Sequence, residues 1–128
     1  MDILITVGDL ELEAELNDSP TARKVAEMLP LETAFNTWGE EIYFTVPVEA
    51  DLDDTAREVV DPGDLGYWPT GGAFCIFFGQ TPMSSPGRIV PAGPVNIIGR
   101  VSGDAGRLKE VMAEREIRVE REIRVERA

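Results

Sequence analysis

From residue 2 to residue 16 an apolar side chain falls on every second position. Only an extended strand turns alternate residues to one face. Ile3, Ile5 and Val7 point one way, and beyond Gly8-Asp9 the residues Leu10, Leu12, Ala14 and Leu16 do the same. Glu11, Glu13 and Glu15 fill the positions between. The pattern predicts a β-hairpin with one face on a core and the other in water.

The remaining elements are short. Ser19 is a good helix N-cap, and Pro20 suits the first helical position because its missing N–H would be unpaired there anyway. Ala22, Val25, Ala26 and Leu29 follow at helical spacing, so one amphipathic helix is expected up to Pro30. Strands are predicted over 31–38 and 41–47, turning at Gly39. Thr55-Ala56-Arg57-Glu58 has capping-box spacing and predicts a single helical turn. Asp61-Pro62-Gly63-Asp64 reads as a turn. The run Ala73 to Phe78 is apolar on both faces, as in a strand with one side in a core and the other under a helix. Residues 81–94 hold four prolines and two glycines, which predicts a long ordered loop. A strand at 95–101 and a short helix within 103–112 complete the set.

The tail repeats itself. Arg115-Glu116-Ile117-Arg118-Val119-Glu120 is followed at once by Arg121-Glu122-Ile123-Arg124-Val125-Glu126. An even repeat keeps Ile117, Val119, Ile123 and Val125 on one strand face, so either copy can supply the last strand. The spare copy is expected either to extend as a frayed end or to add to the sheet edge of a second chain, giving a homodimer. Taken together, about eight short strands and two short helices predict a mainly β fold, a closed antiparallel barrel. The 128 residues are expected to form one domain, 1–128, with 115–126 as its duplicated strand-forming tail.

Charge narrows the partners. Twenty-four acidic residues face 12 basic ones, a net charge of −12. Such a surface repels phosphate backbones and anionic lipid, so neither nucleic acid nor membrane is expected as a partner. No stretch approaches the ~20 apolar residues of a membrane helix. The first residues show no targeting segment, and the single cysteine, Cys75, suits a reducing compartment. A cytoplasmic location is the expectation. The cations comprise ten Arg and two Lys, and Asn and Gln together number four. That balance fits a hot or salty cytosol, or equally a genomic bias toward Arg codons.

Two segments carry a family resemblance: Asn36-Thr37-Trp38-Gly39-Glu40-Glu41-Ile42-Tyr43-Phe44, and Gly63-Asp64-Leu65-Gly66-Tyr67-Trp68-Pro69 through Phe77-Phe78-Gly79-Gln80-Thr81-Pro82. With the order of elements around them, they resemble an atypical cyclophilin-like family of small archaeal and bacterial proteins. The resemblance implies a cyclophilin-like barrel, and prolyl cis/trans isomerisation as an activity to test. True cyclophilins pair a Phe-x-Arg strand with a Phe-Met-x-Gln strand. This sequence has no such pair, so no catalytic residue carries over by position.

Much chemistry is absent. Without histidine there is no imidazole base, His triad or His metal site. Cys75 lies inside an apolar strand, where a thiol is a core residue and a poor nucleophile. Pro69-Thr70-Gly71-Gly72 lacks the lysine of a phosphate loop. The acidic run Glu49, Asp51, Asp53 and Asp54 fails the EF-hand spacing, because Ala56 and Pro62 stand where Gly and Glu are required. It reads as a solvated turn capping the helix expected at Thr55. No metal or cofactor is expected. The remaining candidates are Tyr67, Trp68, Phe78, Gln80 and Met83, an aromatic cluster with one amide beside the Pro-rich loop, suited to a peptide or small molecule at the barrel mouth. Arg88 and Arg100 are the candidate donors if the protein is an isomerase, since weakening amide resonance needs only a donor to the prolyl nitrogen. The bland alternative makes Trp68 and Phe78 core and the arginines a balance to the acidic surface.

Overall fold

A computed structural model describes residues 1–122. The predicted hairpin is β1 (Asp2–Val7) and β2 (Leu10–Leu16), paired in full register from Asp2↔Glu15 to Val7↔Leu10. Helix α1 (Pro20–Met28) starts where Ser19 Oγ accepts the N–H of Ala22. The chain then forms β3 (Leu31–Ala34), β4 (Asn36–Thr37), β5 (Glu41–Thr45), β6 (Ala56–Arg57), β7 (Asp64–Trp68), β8 (Ala73–Phe77) and β9 (Val95–Val101). A 3-10 helix (Ala105–Val111) and β10 (Glu116–Arg121) follow.

The wall runs β3-β10-β1-β2-β9-β7-β8-β5-β4, every pair antiparallel, with β6 on the flank of β9. Its two ends, β3 and β4, are separated in the chain by Phe35 alone, whose N–H donates to the Arg115 carbonyl at 3.0 Å. The result is the nearly closed antiparallel barrel that the patterning predicts. The first tail copy supplies β10, which pairs with β1 on one side and β3 on the other. Most of the second copy, and with it the expected dimer contact, lies outside the described residues. Among the described residues no helix is long and apolar enough to cross a membrane.

Alternation sorts side chains between two apolar layers. Ile3, Ile5, Leu12, Ile42, Phe44, Leu65, Phe74, Ile76 and Ile98 fill the barrel, joined by Val25 of α1 and Leu108 of the 3-10 helix. Phe44 and Phe74 stack there with ring centroids 5.0 Å apart. The outward residues Ala73, Cys75, Phe77 and Val95 form a second, smaller cluster with Val60 and Ile89. This corrects one expectation: the outer face of β8 lies under loop segments, because both helices pack into the barrel core. The Pro-rich loop is ordered by its own hydrogen bonds. Thr81 Oγ1 donates to the Val90 carbonyl, and Ser84 Oγ accepts from the N–H groups of Thr81 and Val90. Val60 N–H donates to the Ile89 carbonyl and ties the loop to the chain before β7.

Two more expectations change. The strand predicted over 31–38 breaks at Phe35, so β3 pairs with β10 and β4 with β5. The helical turn expected at Thr55 is instead strand: Ala56–Arg57 pairs with β9. Asp53 Oδ1 accepts both the N–H and the hydroxyl of Thr55, a local turn that competes with helix formation. Burial pushes the Asp53 carboxyl up, but hydrogen bonds from Thr55 and Thr21 outweigh it and hold the group below its ordinary value. The segment is also stitched to the barrel. Asn96 is fully buried; its oxygen accepts the Asp53 N–H at 2.9 Å, and its amide donates to the Asp51 carbonyl and Thr21 Oγ1. Asn96→Ala is therefore expected to lower stability by about 2 kcal/mol by leaving those groups unpaired. Urea unfolding measures it, and a loss below about 0.5 kcal/mol would mean that water replaces the side chain.

Candidate functional site

On the outer wall of the barrel, where β5 and β8 pair, Tyr43 stands opposite Cys75 and Glu41 opposite Phe77. All of these point away from the core, since Ile42, Phe44, Phe74 and Ile76 point into it. Trp38 arrives from the β4–β5 turn, fixed by its N–H to the Glu41 carbonyl at 3.0 Å. Trp68 arrives from the end of β7. Pro91 and Ala92 of the Pro-rich loop and Val95 of β9 complete a cavity of about 260 Å³. The chain has two tryptophans, and both wall this cavity.

Trp68 is held by what its neighbours lack. A Cβ on Gly71 would come within 2.6 Å of its Cε3, and one on Gly93 within 3.0 Å of its Nε1. Gly39 at the turn has a φ of +60°, and a Cβ there would meet the Gln80 carbonyl at 2.6 Å, so the turn that delivers Trp38 needs glycine twice over.

The floor is unusual. Glu41 is 5% exposed, and its Oε1 is buried with no hydrogen-bond partner among the described residues. Burial pushes its carboxyl up from 4.5 to about 7, against a smaller lowering by the neighbouring Cys75 thiol, whose Sγ donates to the Ala73 carbonyl at 3.8 Å. Burial and the neighbouring Glu41 push the Cys75 thiol well above its ordinary range, so it remains a thiol. A buried polar atom without a partner costs free energy unless something else satisfies it. The arrangement offers aromatic walls, a prolyl and methyl lip, and the Glu41 carboxyl among the lining side chains.

The candidates named from sequence are dispersed. Tyr67 is 1% exposed in the barrel core, its hydroxyl donating to the Val48 carbonyl, and Phe78 is buried in the same core. Gln80 donates to the Ser85 carbonyl at 3.0 Å and orders the loop. Met83 and Arg88 are exposed and line a separate hollow of about 280 Å³ on the far side of the Pro91–Ala92 ridge. Arg100 is ion-paired to the largely buried Asp64 at 3.0 Å and also donates to the Pro62 carbonyl. Of the aromatic cluster, only Trp68 reaches the cavity. Adjacent strand residues face opposite ways, so Tyr67 and Trp68 cannot share a pocket. Sequence reasoning missed Trp38, Glu41 and Tyr43. The signal available is the shared face of Glu41 and Tyr43, opposite the apolar Ile42 and Phe44, which marks a common face but not the burial of Glu41.

Comparison with known proteins agrees with this architecture. The family model described as cyclophilin-like matches residues 1–120. A hypothetical protein from Archaeoglobus fulgidus, solved in solution, is 39% identical with a TM-score of 0.78, and the match covers 95% of each chain. McbB in complex with tryptophan superimposes with a TM-score of 0.70 at 14% identity, covering 98% of this chain and 46% of that one, a likeness of fold. No curated protein matches the chain. The matched span takes in the barrel wall and every residue named as lining the cavity, and the chain belongs to the cyclophilin-like family.

Proposed function

We propose that the protein is a binding module whose ligand, a compact small molecule or one side chain of a peptide, seats in the cavity between Trp38, Tyr43 and Trp68. The observation that carries this is the convergence of three aromatic side chains on one cavity with the buried Glu41, one oxygen of which has no hydrogen-bond partner among the described residues. Ligand sites are built of mostly apolar walls with few, placed polar atoms, and this cavity has that make-up. Packed side chains occupy the barrel interior, which favours the outer wall over the mouth as the recognition surface. Isomerisation fits less well. It requires a donor over an apolar floor, and among the described residues no arginine lines this cavity.

Both indoles report on the site. Cyclohexanol, a compact neutral probe, is expected to shift the indole N–H resonances of Trp38 and Trp68 together. Trp68→Ala should weaken its binding about tenfold or more through loss of aromatic contact area. Unmoved indole signals up to the solubility limit of the probe would sink the reading. An Xaa-Pro peptide followed in the same spectra is expected to keep its uncatalysed exchange rate. Acceleration that disappears on Arg88→Ala or Arg100→Ala would make the protein a divergent isomerase instead.

A further inference from the structure

We propose that the cavity selects an organic ammonium ion, a primary or secondary amine on a compact apolar body, whose N–H donates to Glu41 while its carbon skeleton lies against the aromatic walls. The inference rests on the reading of the cavity as a ligand site and adds the charge of what it takes.

Three observations converge on a cation. Glu41, which lines the cavity, is more than nine-tenths buried, and one of its carboxyl oxygens lacks a donor among the described residues. A neutral hydrogen-bond donor would relieve that oxygen, but only a positive charge also offsets the cost of holding a carboxylate away from water. The walls suit the same ligand, because aromatic rings attract cations through their quadrupoles as well as apolar surface. Finally, among the described residues no Lys or Arg lines the cavity, so none of them competes there for the carboxylate. Lys109 is ion-paired to the adjoining Glu40, its Nζ 3.2 Å from the carboxylate. The net charge of −12 raises the local concentration of any cation and speeds its arrival.

The titratable groups facing Glu41 across the cavity are Tyr43 from its own strand and Cys75 from β8. The turn, β7, the Pro-rich loop and β9 bring none. The thiol is held neutral, so Glu41 is the group that changes charge near neutrality. Binding of an ammonium ion should then displace a proton from Glu41, and affinity should rise with pH up to about 7 and level off above it.

The test compares cyclohexylammonium with cyclohexanol, which share size and a donor and differ in charge, read on the two indole resonances. The amine is expected to bind at least about tenfold more tightly at pH 8, and its affinity to fall about tenfold between pH 8 and pH 6 while that of the alcohol stays level. Glu41→Gln should bring the two probes to parity. Equal binding of both to the native protein would overturn the inference and leave the binding-module reading standing. A preference for the amine that survives Glu41→Gln would assign it to general surface charge and also overturn it. Binding of neither probe would defeat both readings. Because the pH dependence is read on the native chain, a poorly folded variant does not leave the question open.

Discussion

Gly99→Ala is expected to destabilise the protein by more than about 3 kcal/mol, while Gly103→Ala, four residues along, costs under about 0.5 kcal/mol. Gly99 lies where β9 pairs with Leu16 of β2 on one side and Leu65 of β7 on the other. A Cβ there would collide with the Glu15 carbonyl oxygen and sit 3.0 Å from the Leu16 Cα. Both are backbone atoms of a paired strand, which cannot swing aside as a flexible side chain can. Relief requires β2 and β9 to separate, and that opens the barrel wall at its middle. At Gly103 an added Cβ meets nothing within 4 Å. Urea midpoints of the two variants decide the matter. A loss below about 1 kcal/mol at Gly99 would show that the two strands do not approach so closely.

Glu41 should make stability depend on pH in an uncommon direction. Its folded-state pKa of about 7 lies above the ordinary 4.5, so folding is favoured while the group is protonated in both states and loses free energy as pH rises between those values. The loss is complete above pH 7 and amounts to about 3 kcal/mol, from the shift at 1.36 kcal/mol per unit. Glu41→Gln cannot titrate. Its stability relative to the native protein should therefore be about 3 kcal/mol more favourable at pH 8.5 than at pH 4.5. Subtracting native from variant cancels the other carboxylates, and the Cys75 thiol does not titrate in this window. The same difference at both pH values would mean that the carboxyl reaches water and keeps its ordinary pKa.

How far these features could be read from the sequence follows from the range of the forces involved. The β1–β2 hairpin and α1 are local: alternation about Gly8-Asp9 and the Ser19 cap each act within a few residues, and both appear as expected. Barrel closure was legible from strand number and turn spacing. The Thr55 turn was not. Capping-box spacing describes what that segment could do alone, whereas Asn96, more than forty residues away, fixes what it does. β9 hides a second irregularity. Leu65 pairs with Gly99 but Gly66 with Ile97, so Ile98 is a bulge, and alternation breaks within a strand that reads as continuous. As a result Ile98 and Val101 both face the core, and Arg100 turns out to solvent to meet Asp64.

The candidate site was legible only in part. Trp68 was identified for its size and its place beside the Pro-rich loop. It was then grouped with Tyr67 and Phe78, which alternation sends to the other side of the wall. Glu41 gives no local sign of burial, because its environment is assembled from four separated segments of chain. Its unpaired oxygen is a property of the folded state alone.

The two faces of the wall divide the chain's positions into sets that change under different rules. Ile42, Phe44, Phe74 and Ile76 answer to the packing of the barrel, and the interleaved Glu41, Tyr43 and Cys75 line the cavity proposed as the ligand site. The Pro-rich loop is fastened by its own hydroxyls, so its lip at Pro91–Ala92 is already in place before a ligand arrives. On the proposed reading, descendants of such a chain could exchange one guest for another by altering Glu41 and Tyr43, leaving the even-numbered register that packs the barrel as inherited.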